Sequence, residues 1–189
     1  SIPDFLNSLI DLSADAAGSG QEMGIEDKWV KYFRPVEPYE DLVGRKNEIS
    51  LTLRVLCRKS KSNVLLVGGR GVGKTALAKG IAALLEKDEV PEKLKGCELM
   101  ELNVSALLSG TQYRGDLEGR VQSVMNAVAE EEGIIIYIDE LRSLGGMSRM
   151  DDGSKDIISL LVPYLKSGSL RFIISATPED VKKLSSMDT

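Results

Sequence analysis

Apolar positions along the chain form short continuous runs separated by stretches of helical periodicity. Continuous runs at residues 64–67, 134–138 and 170–176, with a further one at 99–104, are typical of strands. Such runs favour parallel strands that are covered on both faces. We therefore predict an α/β fold in which a parallel sheet of about four strands is the middle of three layers.

Between the runs, apolar residues recur at helical spacing. Leu117, Val121, Val124 and Val128 form one such stripe, which predicts a helix over residues 116–130. The same reasoning predicts helices over residues 46–58, 75–85 and 155–166. Because strands and helices alternate, the crossovers between parallel strands should be right-handed.

Composition distinguishes the N-terminal segment and one loop from this core. Residues 1–23, which include Gly18-Ser19-Gly20, are predicted to be a flexible N-terminal tail or linker. Residues 24–189 are predicted to form the folded domain. Within it, residues 145–153 are rich in Gly, Met and Asp and are predicted to form a mobile loop.

The segment Gly68–Thr75 carries the strongest functional signal. It matches the phosphate-binding pattern of Gly, any four residues and Gly-Lys-Thr, and it lies between a predicted strand and a predicted helix. Its glycines let N–H groups curl around an anion, and the next helix adds its positive end. A glycine-rich hairpin turn is the alternative, but it leaves the Lys-Thr offset unexplained.

This motif predicts the residues that bind the cofactor ATP. Lys74 should reach the β- and γ-phosphates, and the hydroxyl of Thr75 should hold Mg²⁺. The predicted nucleotide contacts are Gly68, Gly69, Arg70, Gly71, Val72, Gly73, Lys74, Thr75 and Ala76.

Asp139 and Glu140 follow the apolar run 134–138. Open α/β sheets bind ligands at the carboxyl ends of their strands, so these carboxylates should lie beside the phosphate loop. We predict that Asp139 holds Mg²⁺ through water and that Glu140 is the general base for the attacking water. An acidic helix start without chemistry is the alternative, which the upstream phosphate loop disfavours.

Composition narrows the classes of function. A formal net charge of −5 and a pI of about 5.0 offer no electrostatic case for binding nucleic acid or an acidic membrane. Histidine is absent, which excludes imidazole bases and His-ligated zinc within this chain, and the two cysteines lack metal-site spacing. No apolar run is long enough to span a bilayer.

Four stretches together resemble the Clp-type AAA+ ATPases, the ClpA, ClpB and ClpC group. Gly110–Glu118 resembles that group's Gly-Thr-Lys-Tyr-Arg-Gly-Glu-Phe-Glu stretch, and Leu42–Arg45 resembles its Val-Ile-Gly-Arg segment. Ile138–Leu141 resembles its Ile-Asp-Glu-Ile, and Pro163–Leu170 its Pro-x-Leu-x-x-Gly-x-Leu. The resemblance implies a P-loop NTPase fold of the AAA+ type, namely the large subdomain of a first AAA+ module without its helical lid.

The resemblance also implies roles outside the phosphate loop. One group of residues would line the adenine pocket: Leu42, Val43, Gly44 and Arg45. Another group would lie on a loop at the pore of a ring, where an aromatic side chain grips polypeptide: Tyr113, Arg114 and Gly115.

At the level of function, the resemblance implies an ATP-hydrolysing module of a ring, hexameric in this group, that threads unfolded polypeptide through a central pore. Neither nucleic acid nor a membrane is an expected partner, and a peptidase partner is left open. We expect a cytoplasmic location, or an organelle of bacterial origin in a eukaryote. Because the chain ends before the group's arginine finger and lid, the fragment alone should hydrolyse ATP weakly or not at all.

One departure from the group concerns the sensing of the γ-phosphate. Pro178 stands where the group has a threonine for this purpose, and proline offers no hydrogen-bond donor. Thr177 is the expected substitute. The departure favours an alternative function, a nucleotide-gated scaffold or adaptor with little turnover. A module acting on nucleic acid is a further alternative, against which the net acidity and the Tyr-Arg-Gly stretch argue.

Overall fold

The computed structural model describes residues 29–111, 113–140 and 157–187. Within these ranges the strands are β1 (Phe33–Pro35), β2 (Val64–Val67), β3 (Glu98–Leu102), β4 (Ile134–Ile138) and β5 (Arg171–Ala176). The α-helices are α1 (Lys46–Leu56), α2 (Lys74–Glu86), α3 (Val104–Leu108), α4 (Arg114–Glu130), α5 (Ile157–Ser167) and α6 (Pro178–Met187). Short 3₁₀ helices cover Val30–Tyr32 and Glu92–Leu94. None of the helices described combines the length and apolar content needed to cross a membrane.

The strands form one sheet in the order β1-β3-β4-β5-β2. The four strands β2 to β5 are parallel, which confirms the prediction. β1, which the sequence did not predict, runs antiparallel to β3 at the end of the sheet. Pro35 is tolerated there because one side of an edge strand has no neighbouring strand, so an N–H missing from that side costs the sheet no hydrogen bond.

The sheet is covered on both faces, which confirms the three-layer prediction. Alternate residues of β4 enter opposite cores: Ile136 packs with residues of α4 and α5, whereas Ile135 and Tyr137 pack with residues of α1 and α2. Both faces of a central strand must therefore be apolar. This explains the unbroken apolar run at residues 134–138.

Helix starts account for the main differences from the predicted boundaries. The strand predicted at 99–104 ends at Leu102 because Asn103 caps the start of α3, where its side chain accepts a hydrogen bond from the N–H of Ala106 at 3.0 Å. Both α3 and α6 were absent from the prediction. The predictions for residues 1–23 and 145–153 lie outside the described residues.

Candidate functional site

The phosphate loop leaves the carboxyl end of β2 and enters α2. Gly71 and Gly73 have φ angles of +76° and +93°, a region that glycine adopts without steric cost. Gly68 packs closely, since a Cβ there would lie 2.8 Å from the Val72 side chain, and its N–H donates to the carbonyl oxygen of Ala176 at 3.1 Å. The loop is thus curled as predicted and is anchored to β5.

Lys74 begins α2, and its ammonium folds back over the loop. Its Nζ donates to the carbonyl oxygens of Gly68 and Gly69 at 2.8 and 2.7 Å. The positive charge is therefore held within the curve of the loop, beside the N-terminus of α2. Both features favour an anion at this point. Arg70 is exposed at the tip of the loop, and Ala76 lies in the first turn of α2.

The two predicted metal-holding residues meet across the fold. Thr75 Oγ1 donates to Asp139 Oδ2 at 3.1 Å, although the residues come from the start of α2 and the end of β4. A hydroxyl and a carboxylate offer the hard oxygen ligands that Mg²⁺ prefers. The residues present therefore fit a magnesium–nucleotide site.

Two buried hydroxyls that the sequence analysis missed also contact Asp139. Tyr137 Oη and Ser175 Oγ each donate to Asp139 Oδ1 at 2.8 Å. Burial, and then the bond to Asp139, raise the pKa of the Tyr137 phenol above its usual range, so the phenol stays protonated and remains a donor. The sequence did carry one signal for Tyr137: it is two residues from Asp139, and residues two apart on a strand share a face. Without the structure, however, Tyr137 resembles an ordinary core residue.

The backbone of Glu140 is held in an uncommon conformation. Its φ is +58°, in the left-handed region that costs a non-glycine residue roughly 1–2 kcal/mol. Its N–H donates to Ser175 Oγ at 2.8 Å, and the residue is exposed. The structure thus presents the predicted base at the surface of the site, next to Asp139.

The segment predicted to line the adenine pocket lies against the phosphate loop and the middle of α2. Leu42 packs over Gly80, where a Cβ would lie 2.7 Å from Leu42 Cδ2. Val43 is 90% exposed, and Gly44 has a φ of +79°. Arg45 differs from the others because its Nη2 donates to the Val72 carbonyl oxygen at 2.6 Å. Its side chain therefore supports the phosphate loop, while the adenine contacts stay a prediction.

Thr177 is engaged in a helix cap. Its Oγ1 donates to Asp180 Oδ2 at 2.7 Å, and the N–H of Asp180 donates back to Thr177 Oγ1 at 3.2 Å. This reciprocal pair satisfies donors at the start of α6. The hydroxyl proton of Thr177 thus points to Asp180, which argues against the predicted sensor role. Ser175, not Thr177, is the β5 hydroxyl that reaches Asp139.

The predicted pore-loop residues lie at the start of α4, with Tyr113 as its N-cap and Arg114 as its first residue. Tyr113 is 74% exposed, and its backbone N–H donates to Asp116 Oδ2 at 3.2 Å. Arg114 pairs with Glu118 at 2.8 Å. Gly115 is inside the first turn of α4. Gly110, with a φ of +71°, is the glycine that shapes the loop.

Comparison with known proteins bears on this site. The family model described as "ATPase family associated with various cellular activities (AAA)" matches residues 64–188. A ClpA homolog protein of Fuscovulum blasticum is 41% identical over 144 residues, which cover 76% of this chain and 18% of the relative. The chaperone protein ClpB of Agrobacterium fabrum is 42% identical over 145 residues, which cover 76% of this chain and 16% of the relative.

A solved structure has the same fold. The closed state of Hsp104 with ATPγS and FITC casein matches with a TM-score of 0.71 and 33% identity, over 84% of this chain and 28% of that one. The chain therefore spans less than a third of the length of each of these relatives.

Proposed function

Because the chain belongs to the AAA family of ATPases and, within it, to the Clp-type group, we propose that its site binds ATP with Mg²⁺ and hydrolyses the bond between the β- and γ-phosphates. Membership of the family itself implies nucleotide binding. The observation that carries the proposal is the 3.1 Å contact between Thr75 and Asp139. It brings the phosphate loop and the acidic strand end together at one edge of the sheet.

Different residues of the chain would carry out different parts of hydrolysis. The amides of the loop and the ammonium of Lys74 hold the phosphates in place. Thr75 and Asp139 would hold Mg²⁺, which neutralises charge that develops on the phosphate oxygens. Glu140 accepts the proton of a water molecule while the water oxygen bonds to the γ-phosphorus and the bond to the ADP oxygen breaks.

For the whole protein, we propose a ring-forming unfoldase that threads unfolded polypeptide through its pore. Support comes from the relatives, since the similar Hsp104 structure contains casein, and from the exposed Tyr113 ring. An exposed aromatic ring can contact many sequences without a strict pattern. Six subunits in the ring, a location in the cytoplasm or an organelle of bacterial origin, and a peptidase partner stay predictions.

The alternative of a scaffold with little turnover rested on Pro178. The structure offers a separate explanation for a proline at this position. Pro178 is the first residue of α6, directly after the capping Thr177. Proline is favoured at this helical position because its missing N–H would have no intrahelical partner. Pro178 is therefore explained as a helix start, and the relatives favour the unfoldase over the scaffold.

The test uses Glu140→Gln in the full-length protein. The amide keeps the shape of the side chain but cannot accept the proton, so ATP should still bind while turnover falls about 100-fold or more. Unfolding of a casein client should fall with it. A matched control is Glu130→Gln, which removes an exposed carboxylate at the end of α4 and should leave turnover unchanged.

The outcomes of these assays distinguish the ATP-hydrolysing unfoldase from the scaffold. If Glu140→Gln turns over ATP at the unaltered rate, Glu140 is not the base. An unaltered protein that binds ATP but neither hydrolyses it nor responds to client would support the scaffold.

A further inference from the structure

Two hydroxyls inside the fold converge on one oxygen of Asp139. Tyr137 Oη and Ser175 Oγ both donate to Asp139 Oδ1 at 2.8 Å. Tyr137 is 1% exposed and Ser175 is fully buried. The bonds of these side chains are therefore shielded from solvent and hold a fixed geometry.

The sheet itself creates this arrangement. In the register between β4 and β5, Tyr137 lies beside Ile173. Asp139 comes two residues after Tyr137, just past the end of β4, and Ser175 comes two residues after Ile173 on β5, where its Oγ reaches Asp139. The face of the sheet that carries Tyr137 packs against α2, the helix that carries Thr75. The sheet and the phosphate loop thus aim these side chains at one point.

The hydroxyl of Tyr137 has no packing purpose of its own. A phenylalanine would fill the same space among Leu99, Ile135 and Ile173 without burying a polar atom. Burying a hydroxyl is unfavourable unless it is hydrogen-bonded, and here the hydroxyl donates to a carboxylate at the edge of the candidate site. The position of the hydroxyl is therefore best explained by what it does to Asp139.

Ser175 makes a second bond that extends the arrangement to the base. Its Oγ accepts the N–H of Glu140 at 2.8 Å while it donates to Asp139. One small side chain on β5 therefore holds the carboxylate of one acidic residue and the backbone of the next. The left-handed backbone of Glu140 is held in place by the same bond.

We propose that Tyr137 and Ser175 are positioning residues that fix the Asp139 carboxylate, through its Oδ1, so that Oδ2 faces Thr75 and the Mg²⁺ of the nucleotide. The inference rests on the proposed function, because it assigns the metal to this site. Side chains that hold a metal-binding carboxylate by hydrogen bonds contribute to metal affinity, and losing one typically costs about 10- to 100-fold.

The experiment measures the metal directly. Mn²⁺ replaces Mg²⁺ and is titrated into the full-length protein saturated with ADP, with bound Mn²⁺ followed by electron paramagnetic resonance. Tyr137→Phe removes only the hydroxyl, and Ser175→Ala removes the second donor. Each should raise the half-saturating Mn²⁺ concentration about tenfold, while ADP affinity measured in EDTA stays within about twofold of the unaltered protein.

Matched controls make the same chemical changes elsewhere. Tyr164→Phe removes a phenol that contacts Asn126 on α4 at 3.3 Å, and Ser167→Ala removes an exposed hydroxyl at the end of α5. Neither should change Mn²⁺ binding. A turnover defect in Tyr137→Phe should recover at high Mg²⁺, which a damaged fold would not do.

Two results would overturn the inference. One is unaltered Mn²⁺ binding in Tyr137→Phe, which keeps the packing and so remains informative even if Ser175→Ala fails to fold. The other is an equal loss of ADP affinity in EDTA, which would mean that the hydroxyls support the whole pocket and not the metal. Failure of the unaltered protein to bind ADP with Mn²⁺ would instead refute the proposed function.

Discussion

The guanidinium of Arg45 lies 2.6 Å from the carbonyl oxygen of Val72 and so connects the segment before α1 to the phosphate loop. The same guanidinium donates to Glu48 at 2.8 Å. That bond lowers the pKa of the Glu48 carboxyl. Because Val72 precedes the left-handed Gly73, Arg45 helps to hold the loop in its curled form.

We predict that Arg45→Ala weakens nucleotide binding about fivefold. Its side chain is 41% exposed, so the lost charged hydrogen bond should be worth about 1 kcal/mol. Titration with a fluorescent nucleotide measures the change. The control, Glu48→Gln, keeps the contact with Val72 and should bind within about twofold of the unaltered protein. Equal affinity in Arg45→Ala would show that the loop holds its shape without this contact.

Lys74→Ala should weaken nucleotide binding at least about tenfold. It removes the charge held at the carbonyl oxygens of Gly68 and Gly69, and one charge-assisted bond is worth about 1.5–3 kcal/mol. The same titration measures it. Lys79→Ala is the control, because this lysine lies on the same helix and pairs only at the surface with Glu37. Unchanged affinity in Lys74→Ala would refute the phosphate-loop assignment.

Glu98 should make stability depend on pH. Burial, and then the charge of Glu86, raise the pKa of the Glu98 carboxyl above its ordinary value of 4.5, and its Oε2 is buried without a hydrogen-bond partner among the described residues. As pH rises from about 4.5, the unfolded chain ionises first, so the folded state loses stability.

Glu98→Gln removes this ionisation. The free energy of unfolding of the variant, relative to the unaltered chain, should therefore increase as pH rises from 4 to 7. Urea denaturation at several pH values measures it. Glu130→Gln, at the exposed end of α4, should show no such trend. A constant difference for Glu98→Gln at all pH values would contradict the prediction.

Tyr113→Ala should impair client handling and not ATP hydrolysis. The helix cap uses the Tyr113 backbone N–H, so truncating the exposed ring leaves α4 intact. The ring lies after β3 and α3, and β3 is three strands from β2 in the sheet, about 14 Å away. Hydrolysis by the full-length assembly should stay within a few fold, while casein unfolding falls about fivefold, as for the loss of one aromatic contact of about 1 kcal/mol.

Tyr113→Phe is the matched variant for this prediction. It keeps most of the apolar contact area and should unfold casein more nearly as the unaltered protein does. If Tyr113→Ala unfolds casein at the normal rate, this loop does not grip polypeptide, and the remaining evidence supports only the assignment as an ATPase.

The sequence by itself determined the parallel sheet, its two covered faces and the phosphate loop. These features are local: a buried strand needs a continuous apolar run, and the loop needs glycine at positions such as Gly71 and Gly73, whose φ angles are positive. β1 escaped prediction because a strand of three residues carries too little periodicity.

Only the tertiary structure decided which side chains meet. Thr75 and Asp139 are 64 positions apart, and a motif can place each near the phosphates but cannot show their contact. The partners of Arg45 and Thr177 likewise depended on how neighbouring elements pack and cap. Tyr137 and Ser175 look like core residues in sequence, and they acquire a role at Asp139 because the register of β4 and β5 sets them on the same face of the sheet, close to Asp139.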